Sequence, residues 1–321
     1  MRGLILSAGL GERLRPLTLK RAKPAVEFLN IPMLGFPYYW LRSAGLSEVV
    51  FNTHYLPETV RHAAMHVVDP AVPMHFPHEP AILGSGGGIR NARVFLEGED
   101  HFAVANADGV ILCEQPDTLQ QMLDFHIERD ALATLLVCPL EGVGTRIPGV
   151  WMDNSGEVVN FGKDTQKDFA KCFHFASYMF FSKRIWDYLP DGPSNILYEV
   201  LEPKIAEGEK VFAYKVERMR WYETGSVKDY LAATKDVLNL MRDGHPLGES
   251  AKAIVLSLAS ASQFDGRRLI SSSAEIHGDL EGFAVIGDEA KVPSGTKVSD
   301  GVLLPGAVLA AGEELRGEVK I

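Results

Sequence analysis

Short apolar runs and amphipathic segments alternate along the first 240 residues of this 321-residue chain. The apolar runs have the length of buried strands, and the segments between them carry apolar residues at helical spacing. This alternation predicts an α/β fold with a mostly parallel sheet and helices on both faces. The predicted strands are 4–6, 48–52, 74–78, 101–105, 133–138 and 178–181, and the predicted helices include 37–44, 56–66 and 118–129.

The last part of the chain follows a different period. Beyond a predicted helix at 229–242, apolar residues recur every six positions at 286, 292, 298, 304 and 310. A second row, of small or branched residues, stands four places on at 290, 296, 302 and 308. A sixfold period fits neither a helix nor a simple strand and is typical of a left-handed parallel β-helix with hexapeptide rungs. We therefore predict an α/β domain at 1–243, a linker at 244–273 and a short β-helix at 274–321. Such a short solenoid exposes its ends, which predicts that it forms a homo-oligomer or packs on the first domain.

Composition excludes several classes of function. A net charge of −10 argues against binding to nucleic acid or to an acidic membrane surface. The chain shows no secretory signal and no apolar run of membrane-spanning length, so we expect a cytoplasmic protein. Cys113, Cys138 and Cys172 stand at unrelated spacings and predict buried free thiols. His62 and His66 lie four residues apart without an HExxH motif, which predicts a structural role.

The densest group of chemical signals is the turn AGLGERLRPLTLKRAKP at 8–24, directly after the first predicted strand. Gly9 and Gly11 allow the backbone to approach a ligand closely, and a helix beginning after them would add its positive end. Arg13 and Lys23 supply cations that can reach a phosphate chain. No GK[ST] string follows, and Leu14 stands where GxGxxG needs its third glycine, so the turn is neither a Walker loop nor a dinucleotide fingerprint. It predicts a polyphosphate site of another type.

Two further motifs follow predicted strands, which is where open α/β sheets bind ligands. The string LGSGGGI at 83–89 has four glycines in five residues and predicts a backbone pressed against a flat or bulky group. Asp108 ends the apolar run at 101–107 and immediately precedes a glycine. A carboxylate in that position is well placed to bind a divalent cation that also touches phosphate oxygens.

These motifs, in this order, resemble those of the sugar-1-phosphate nucleotidyltransferases, nearest the N-acetylmuramate-1-phosphate uridylyltransferase and mannose-1-phosphate guanylyltransferase branches. The resemblance implies a Rossmann-like fold. It also implies an enzyme that uses Mg²⁺ to join a nucleoside triphosphate to a sugar 1-phosphate and releases pyrophosphate. The product would be a nucleotide sugar for cell-surface glycan synthesis. The residues of the turn that match the family signature are Ala8, Gly9, Gly11, Arg13, Pro16, Leu17, Thr18, Lys23 and Pro24.

The same resemblance implies roles for individual residues. Catalytic roles fall on Arg13, Lys23 and Asp108, nucleotide-binding roles on Ala8, Gly9, Gly11, Glu79, Gly84, Gly86 and Gly87, and sugar-phosphate-binding roles on Gly149, Lys163 and Glu199. Glu79 is the candidate acceptor for an N–H of the nucleobase. Asp108 and Glu223 are the candidate Mg²⁺ ligands, although the family has aspartate at the position of Glu223. Ser177 and Asp164 also depart from the family pattern, which has glycine and proline there.

Two functions therefore stay open. The first is an active nucleotidyltransferase, and the second is a catalytically silent homologue that binds a nucleotide sugar and regulates a partner, as Glu223 and Ser177 suggest. The enzyme is favoured by the presence of Arg13, Lys23, Asp108 and Lys163, because a silent module needs neither both phosphate cations nor the metal carboxylate. A sugar 1-phosphate is already an anion at neutral pH, so no catalytic base is expected. The nucleobase, uridine or guanosine, and the sugar also stay open.

Overall fold

The computed structural model describes residues 1–163 and 170–321, so Asp164 lies outside the described residues. The strands of the first domain are β1 (Arg2–Leu6), β2 (Glu27–Phe28), β3 (Ile31–Pro32), β4 (Glu48–Asn52), β5 (Met74–His75), β6 (His101–Asn106), β7 (Val110–Cys113), β8 (Ala133–Cys138), β9 (Gly149–Met152), β10 (Val158–Gly162), β11 (Lys171–Ser182), β12 (Val211–Lys215) and β13 (Met219–Tyr222). The helices are α1 (Gly35–Ser43), α2 (Pro57–Val67), α3 (Gly84–Asn91), α4 (Arg93–Leu96), α5 (Thr118–Glu128), α6 (Glu202–Ala206), α7 (Val227–Arg242) and α8 (Pro246–Leu258). Within the described ranges, none of the helices has the length and apolar character needed to cross a bilayer.

The central sheet is mixed. Its strands lie in the order β10-β9-β11-β6-β1-β4-β5, with β8 paired to both β11 and β12. Strands β6, β1, β4 and β5 are parallel to one another, as the alternation predicts. Strand β11, however, runs antiparallel to β6, β8 and β9, so the predicted mostly parallel arrangement holds for one half of the sheet. The carboxyl ends of β1, β4 and β6 consequently meet at one edge.

Helices cover both faces of this sheet because successive strand residues point to opposite sides. Ile5, Val49 and Phe51 belong to one buried cluster, which also contains apolar residues of α1, α2, α7 and α8. Leu4 and Val50 belong to a second cluster, which contains residues of α3 and α4. The central strands are therefore buried on both faces, and their ends hold the polar side chains.

The C-terminal strands are β14 (Ser262–Phe264), β15 (Arg268–Ser271), β16 (Glu275–Ile276), β17 (Asp279–Ile286), β18 (Lys291–Val292), β19 (Lys297–Leu303), β20 (Glu314–Arg316) and β21 (Val319–Lys320). Apart from β14, they pair in parallel. The registers join residue 268 to 284, 279 to 297 and 302 to 319, which are displacements of 16, 18 and 17 residues. The first row is buried at Ile286, Val292, Val298 and Leu304, but Leu304 belongs to the cluster of the first domain, and Leu303 takes its place in the C-terminal cluster. Val308 of the second row is 49% exposed. The hexad pattern therefore shifts by one residue beyond Val298.

The segment 244–273, predicted as a linker, contains helix α8 and strands β14 and β15. This region and the C-terminal strands pack on the first domain. Asn30 Nδ2 donates to Ser262 Oγ and to the carbonyl of Ile286, both at 3.0 Å. Val302 and Leu304 belong to the same buried cluster as α1 and α7. Of the two arrangements predicted for the tail, the structure contains packing on the first domain.

The three cysteines are free thiols. Burial raises the pKa of both Cys113 and Cys138 to about 12. Cys172 differs from the prediction because it is only partly buried, and burial raises its pKa to about 11. None of the three therefore has the lowered pKa that marks a reactive cysteine.

Candidate active site

The turn after β1 folds as three short 3-10 helices, which are Glu12–Leu14, Leu17–Leu19 and Lys23–Ala25. The helix expected after the glycines is therefore absent from this described segment. Pro16 and Pro24 explain the difference, because each lacks the N–H that a continuous helix would need. Gly11 has a φ of 64°, and a Cβ at this position would lie 2.9 Å from Lys23 Cβ. The turn therefore needs glycine here for its shape and for close packing.

Backbone donors take the place of the expected helix end. The N–H groups of Ala8, Gly9, Leu10 and Gly11 form no hydrogen bond to any residue that the structure describes. Ala8 is buried, Gly9 is exposed, and Leu10 and Gly11 are partly buried. Consecutive backbone N–H groups without an intramolecular acceptor are available to bind an anion. This loop can therefore accept phosphate oxygens.

Asp108 lies beside this loop because β1 and β6 are parallel neighbours. Leu6 pairs with Asn106, and the N–H of Ala107 donates to the carbonyl of Leu6 at 3.0 Å. Asp108 follows directly, and its Oδ2 accepts from Lys23 Nζ at 2.5 Å. The Lys23 side chain is 11% exposed and that of Asp108 is 41% exposed. The sequence-predicted cation and carboxylate therefore form an ion pair at the open edge of the sheet.

Glu223 reaches the same edge through a second pairing. Strand β13 pairs antiparallel with β7, and Tyr222 lies opposite Val110. Glu223, the next residue, is thus brought to the end of β7 that follows Asp108. Its Oε1 accepts from the N–H of Gly225 at 2.7 Å and lies 4.0 Å from Arg13 Nη2. The extra methylene of glutamate lets the carboxylate reach the N–H of Gly225, two residues further along the same turn.

A cavity of about 360 Å³ joins these elements. The turn after β1 and the segment after β6 both line this cavity. Its walls are formed by Leu6, Ser7, Gly9, Leu10, Gly11, Glu12, Arg13, Lys23, Pro24, Ala107, Asp108 and Gly225. Ala8 lies within this loop, and Glu223 contacts Arg13 at the rim. Arg13 is 78% exposed, so its guanidinium is available to a ligand. The structure thus brings Gly9, Gly11, Arg13, Lys23 and Asp108 together around one space.

The glycine-rich segment is a helix, α3, and its glycines serve a packing role. A Cβ on Gly84 would lie 2.6 Å from the carbonyl oxygen of Ser194, and one on Gly87 would lie 2.6 Å from that of Gly192. Gly86 N–H donates to the Ser194 carbonyl at 2.8 Å. The bulky group predicted against these glycines is therefore the chain itself, at 192–194. Nucleotide contacts by Gly84, Gly86 and Gly87 stay a prediction.

Glu79 is 1% exposed and does not line the cavity. Its Oε1 accepts from Asn52 Nδ2 at 2.7 Å, and its Oε2 accepts from the N–H of Leu83 at 3.1 Å. Both carboxylate oxygens are thus occupied by partners within the fold. Acceptance of a nucleobase N–H by Glu79 stays a prediction. The sequence gives no indication that Asn52 and Leu83 lie within reach of this carboxylate.

The predicted sugar-phosphate residues lie apart from the cavity lining. Gly149 begins β9, where a Cβ would lie 2.6 Å from Val143 Cγ2, so packing alone requires glycine. Lys163 is exposed and directly precedes the residues outside the described ranges. Glu199 is exposed, and its Oε2 accepts from the N–H of Asn195 at 2.8 Å, which caps the helical turn that follows. Their roles toward a sugar phosphate stay predictions.

Sequence reasoning missed Asn52 and also Tyr178, which contacts the residue after Asp108. The Tyr178 hydroxyl donates to the carbonyl of Gly109 at 2.7 Å, and burial raises the pKa of this phenol well above its usual range. Ser177, beside it, has a φ of 76°, a conformation that side chains seldom adopt. Asn52 ends a predicted strand at the ligand-binding edge, and that position is the signal by which it could have been found.

The chain belongs to the nucleotidyl transferase family, whose sequence model matches residues 2–239. This match confirms the resemblance read from the motifs. The structure of HddC from Yersinia pseudotuberculosis, complexed with GMP-PN, superposes with a TM-score of 0.59 over 73% of this chain and 98% of that chain. The two sequences are 21% identical, so this likeness establishes the fold.

Several proteins with similar sequences are named as mannose-1-phosphate guanylyltransferases. The chain is 28% identical to the mannose-1-phosphate guanylyltransferase catalytic subunit beta of Dictyostelium discoideum, over 77% of this chain and 67% of the relative. It is also 28% identical to the probable mannose-1-phosphate guanylyltransferase 3 of Oryza sativa subsp. japonica, over 98% of this chain and 83% of the relative. The second similarity extends through the C-terminal strands.

Proposed function

We propose that this protein joins a nucleoside triphosphate to a sugar 1-phosphate, forming a nucleotide sugar and pyrophosphate. An oxygen of the sugar phosphate attacks the α-phosphorus in line, a new P–O bond forms, and the bond from the α-phosphorus to the bridging oxygen breaks. The leaving pyrophosphate carries the electron pair away. One observation supports this proposal above all: the unpaired backbone donors of 8–11, Arg13, Lys23 and Asp108 meet around a single cavity.

The chain's own groups have distinct tasks in this reaction. The N–H groups at 8–11 hold phosphate oxygens in a fixed geometry, which lowers the entropic cost of bringing the two substrates together. Arg13 and Lys23 neutralise charge that spreads over the transferring phosphoryl group and the leaving pyrophosphate. No side chain is needed to remove a proton from the nucleophile, because the sugar phosphate is already ionised.

Asp108 and Glu223 are suited to holding Mg²⁺. Both are carboxylates, which are the ligands this ion prefers, and each side chain is 41% exposed at the cavity edge. Asp108 Oδ1 accepts no hydrogen bond from the described part of the chain, so it can ligate while Oδ2 faces Lys23. No group of three or more metal-binding side chains occurs among residues 1–163 and 170–321. Two carboxylates suffice, since Mg²⁺ usually keeps waters and substrate phosphates as its other ligands. When bound, the ion would add positive charge next to the α- and β-phosphates.

The assay that tests this proposal is pyrophosphate release with Mg²⁺, each common nucleoside triphosphate and a panel of sugar 1-phosphates. Given the relatives' names, GTP with mannose 1-phosphate is the first pair to assay. UTP with each sugar 1-phosphate of the panel is assayed next. We expect turnover with at least one pair. Binding of nucleotide sugar with no pyrophosphate released from any pair would contradict the proposal and favour the silent homologue.

Glu223→Gln separates a metal role from a structural role. The amide oxygen still accepts from the Gly225 N–H, but the charge that a cation needs is lost. We expect the Mg²⁺ concentration for half-maximal activity to rise about tenfold, or about 1.4 kcal/mol, with an unchanged melting temperature. Titration of Mg²⁺ at saturating substrates measures this shift. An unaltered Mg²⁺ dependence would limit Glu223 to orienting Arg13 and Gly225.

For the C-terminal strands we propose a parallel β-helix with coils of about three hexapeptide rungs. Displacements of 16–18 residues between paired strands support this proposal, because three rungs contain eighteen residues. The coils lie on the first domain through Asn30 and the shared apolar cluster, so their role is to cover and stabilise that domain.

A further inference from the structure

Glu79 is a buried carboxylate without a cationic partner among the described residues. Within residues 1–163 and 170–321, its side-chain oxygens accept hydrogen bonds from the amide of Asn52 and the N–H of Leu83. Two hydrogen bonds to neutral donors offset only part of the cost of burying a carboxylate, and a neutral side chain would avoid that cost. The arrangement therefore needs an explanation beyond packing.

Hydrogen bonds continue from Glu79 to the phosphate-binding loop. Asn52 Oδ1 accepts from the N–H of Ser7 at 2.7 Å, and Asn52 Nδ2 donates to Glu79 Oε1 at 2.7 Å. Ser7, Asn52 and Glu79 are each no more than 2% exposed. Ser7 lines the cavity and directly precedes the four unpaired N–H groups. The chain of bonds therefore joins the start of this loop to Leu83, the residue before α3.

The chemistry of the partners fixes the direction of every bond. Ser7 and Leu83 both present N–H donors, so Asn52 must offer its oxygen to Ser7 and its amide to Glu79. Glu79 must then accept at both ends. Helix α3 sits directly on these groups, since a Cβ on Gly88 would lie 2.9 Å from Asn52 Nδ2 and 3.2 Å from Glu79 Oε1.

We propose that Asn52 and Glu79 are positioning residues, which hold the phosphate-binding loop in register with α3 and thereby set the affinity for the nucleoside triphosphate. The inference rests on the proposed function for its ligand. What matters in this relay, defined as Ser7, Asn52, Glu79 and Leu83, is the order of donors and acceptors. Moving the carboxylate from position 79 to position 52, and the amide from 52 to 79, should therefore preserve this order of donors and acceptors.

The test exchanges the two side chains. Asn52→Asp places two carboxylates against each other, and Glu79→Gln cannot accept at both oxygens, because one is replaced by an amide donor. In the double variant the aspartate accepts from Ser7 and from the glutamine amide, while the glutamine oxygen accepts from Leu83. Every bond is restored with the same net charge and nearly the same volume.

We expect each single variant to raise the KM for the triphosphate about tenfold or more, with the KM for the sugar phosphate unchanged. The double variant should return to within about threefold of the original protein. Thr134→Val is the matched control, because it removes another buried hydrogen bond, to His126 Nδ1 at 2.8 Å, away from the cavity. It should lower the melting temperature without changing either KM. Single variants that lose stability but keep the KM for the triphosphate would overturn the proposal.

Amide hydrogen exchange supplies a readout that needs no substrate. We expect Glu79→Gln to speed exchange in the peptide around Ser7 as well as around Leu83, and the double variant to restore protection in both. Faster exchange confined to the neighbourhood of Leu83, or no rescue in the double variant, would overturn the relay. Failure of the proposed function gives a different result from failure of the relay. The original protein would then release no pyrophosphate, but hydrogen exchange in the variants would still show whether the relay exists.

Discussion

Replacing Asp108 with alanine is expected to lower kcat by about 10³-fold or more while the chain remains folded. The change removes the carboxylate proposed to hold Mg²⁺, and a bound metal ion contributes several kcal/mol to stabilising a phosphoryl-transfer transition state. It also leaves Lys23 without its partner at 2.5 Å. Pyrophosphate release at saturating Mg²⁺ and substrates measures the effect.

The fold should survive this replacement because Asp108 is 41% exposed and its ion pair is open to solvent screening. Asp108→Asn keeps the acceptor for Lys23 but removes the charge, and we expect a similar loss of turnover. Asp243→Ala is the matched control, since it removes an exposed aspartate that is paired with Arg242 at 2.8 Å. A kcat within about threefold of the original in either Asp108 variant would remove this residue from the mechanism.

Lys23→Met is expected to lower kcat by about 10²- to 10³-fold, which is the usual effect of removing one preorganised group that stabilises transition-state charge. Methionine retains much of the apolar stem that packs against Gly11, so the loop should keep its shape. The melting temperature should change little for the same reason. Single-turnover measurement of pyrophosphate formation isolates this step from product release.

Lys20→Met tests whether loop charge alone explains such a loss. Lys20 is an exposed cation in the same loop but does not line the cavity beside Asp108. We expect its replacement to leave kcat nearly unchanged. Equal losses for Lys20→Met and Lys23→Met would indicate a general electrostatic attraction of anions, and the specific role of Lys23 would then be wrong.

Much of the site could be predicted from the sequence because its parts are local. Gly9, Gly11 and Arg13 act through the conformation of one turn, and Asp108 stands at the end of an apolar run whose exit from the sheet is fixed by strand geometry. The parallel pairing of β1 with β6 then brings the two together. The expected helix after the glycines failed for an equally local reason, the prolines at 16 and 24.

Contacts between distant segments could not be predicted in the same way. The glycines of α3 indicate a close approach, but only the folded chain shows that residues 192–194 make it. Glu79 is a similar case, since a lone glutamate after a strand gives no sign of whether it faces ligand or protein. The direction of β11 relative to its neighbouring strands could not be predicted either, because an apolar strand of this composition can be buried in either orientation.

The shared apolar cluster of the two regions bears on how the molecule unfolds. Val302 and Leu304 are 1% exposed within a cluster that includes Trp40 and Tyr230 of the first domain. Loss of the C-terminal strands would expose that surface to water, so we expect the two regions to stabilise each other and to unfold together. By linkage, a nucleotide bound between residues 8 and 108 would also stabilise strands that it never touches.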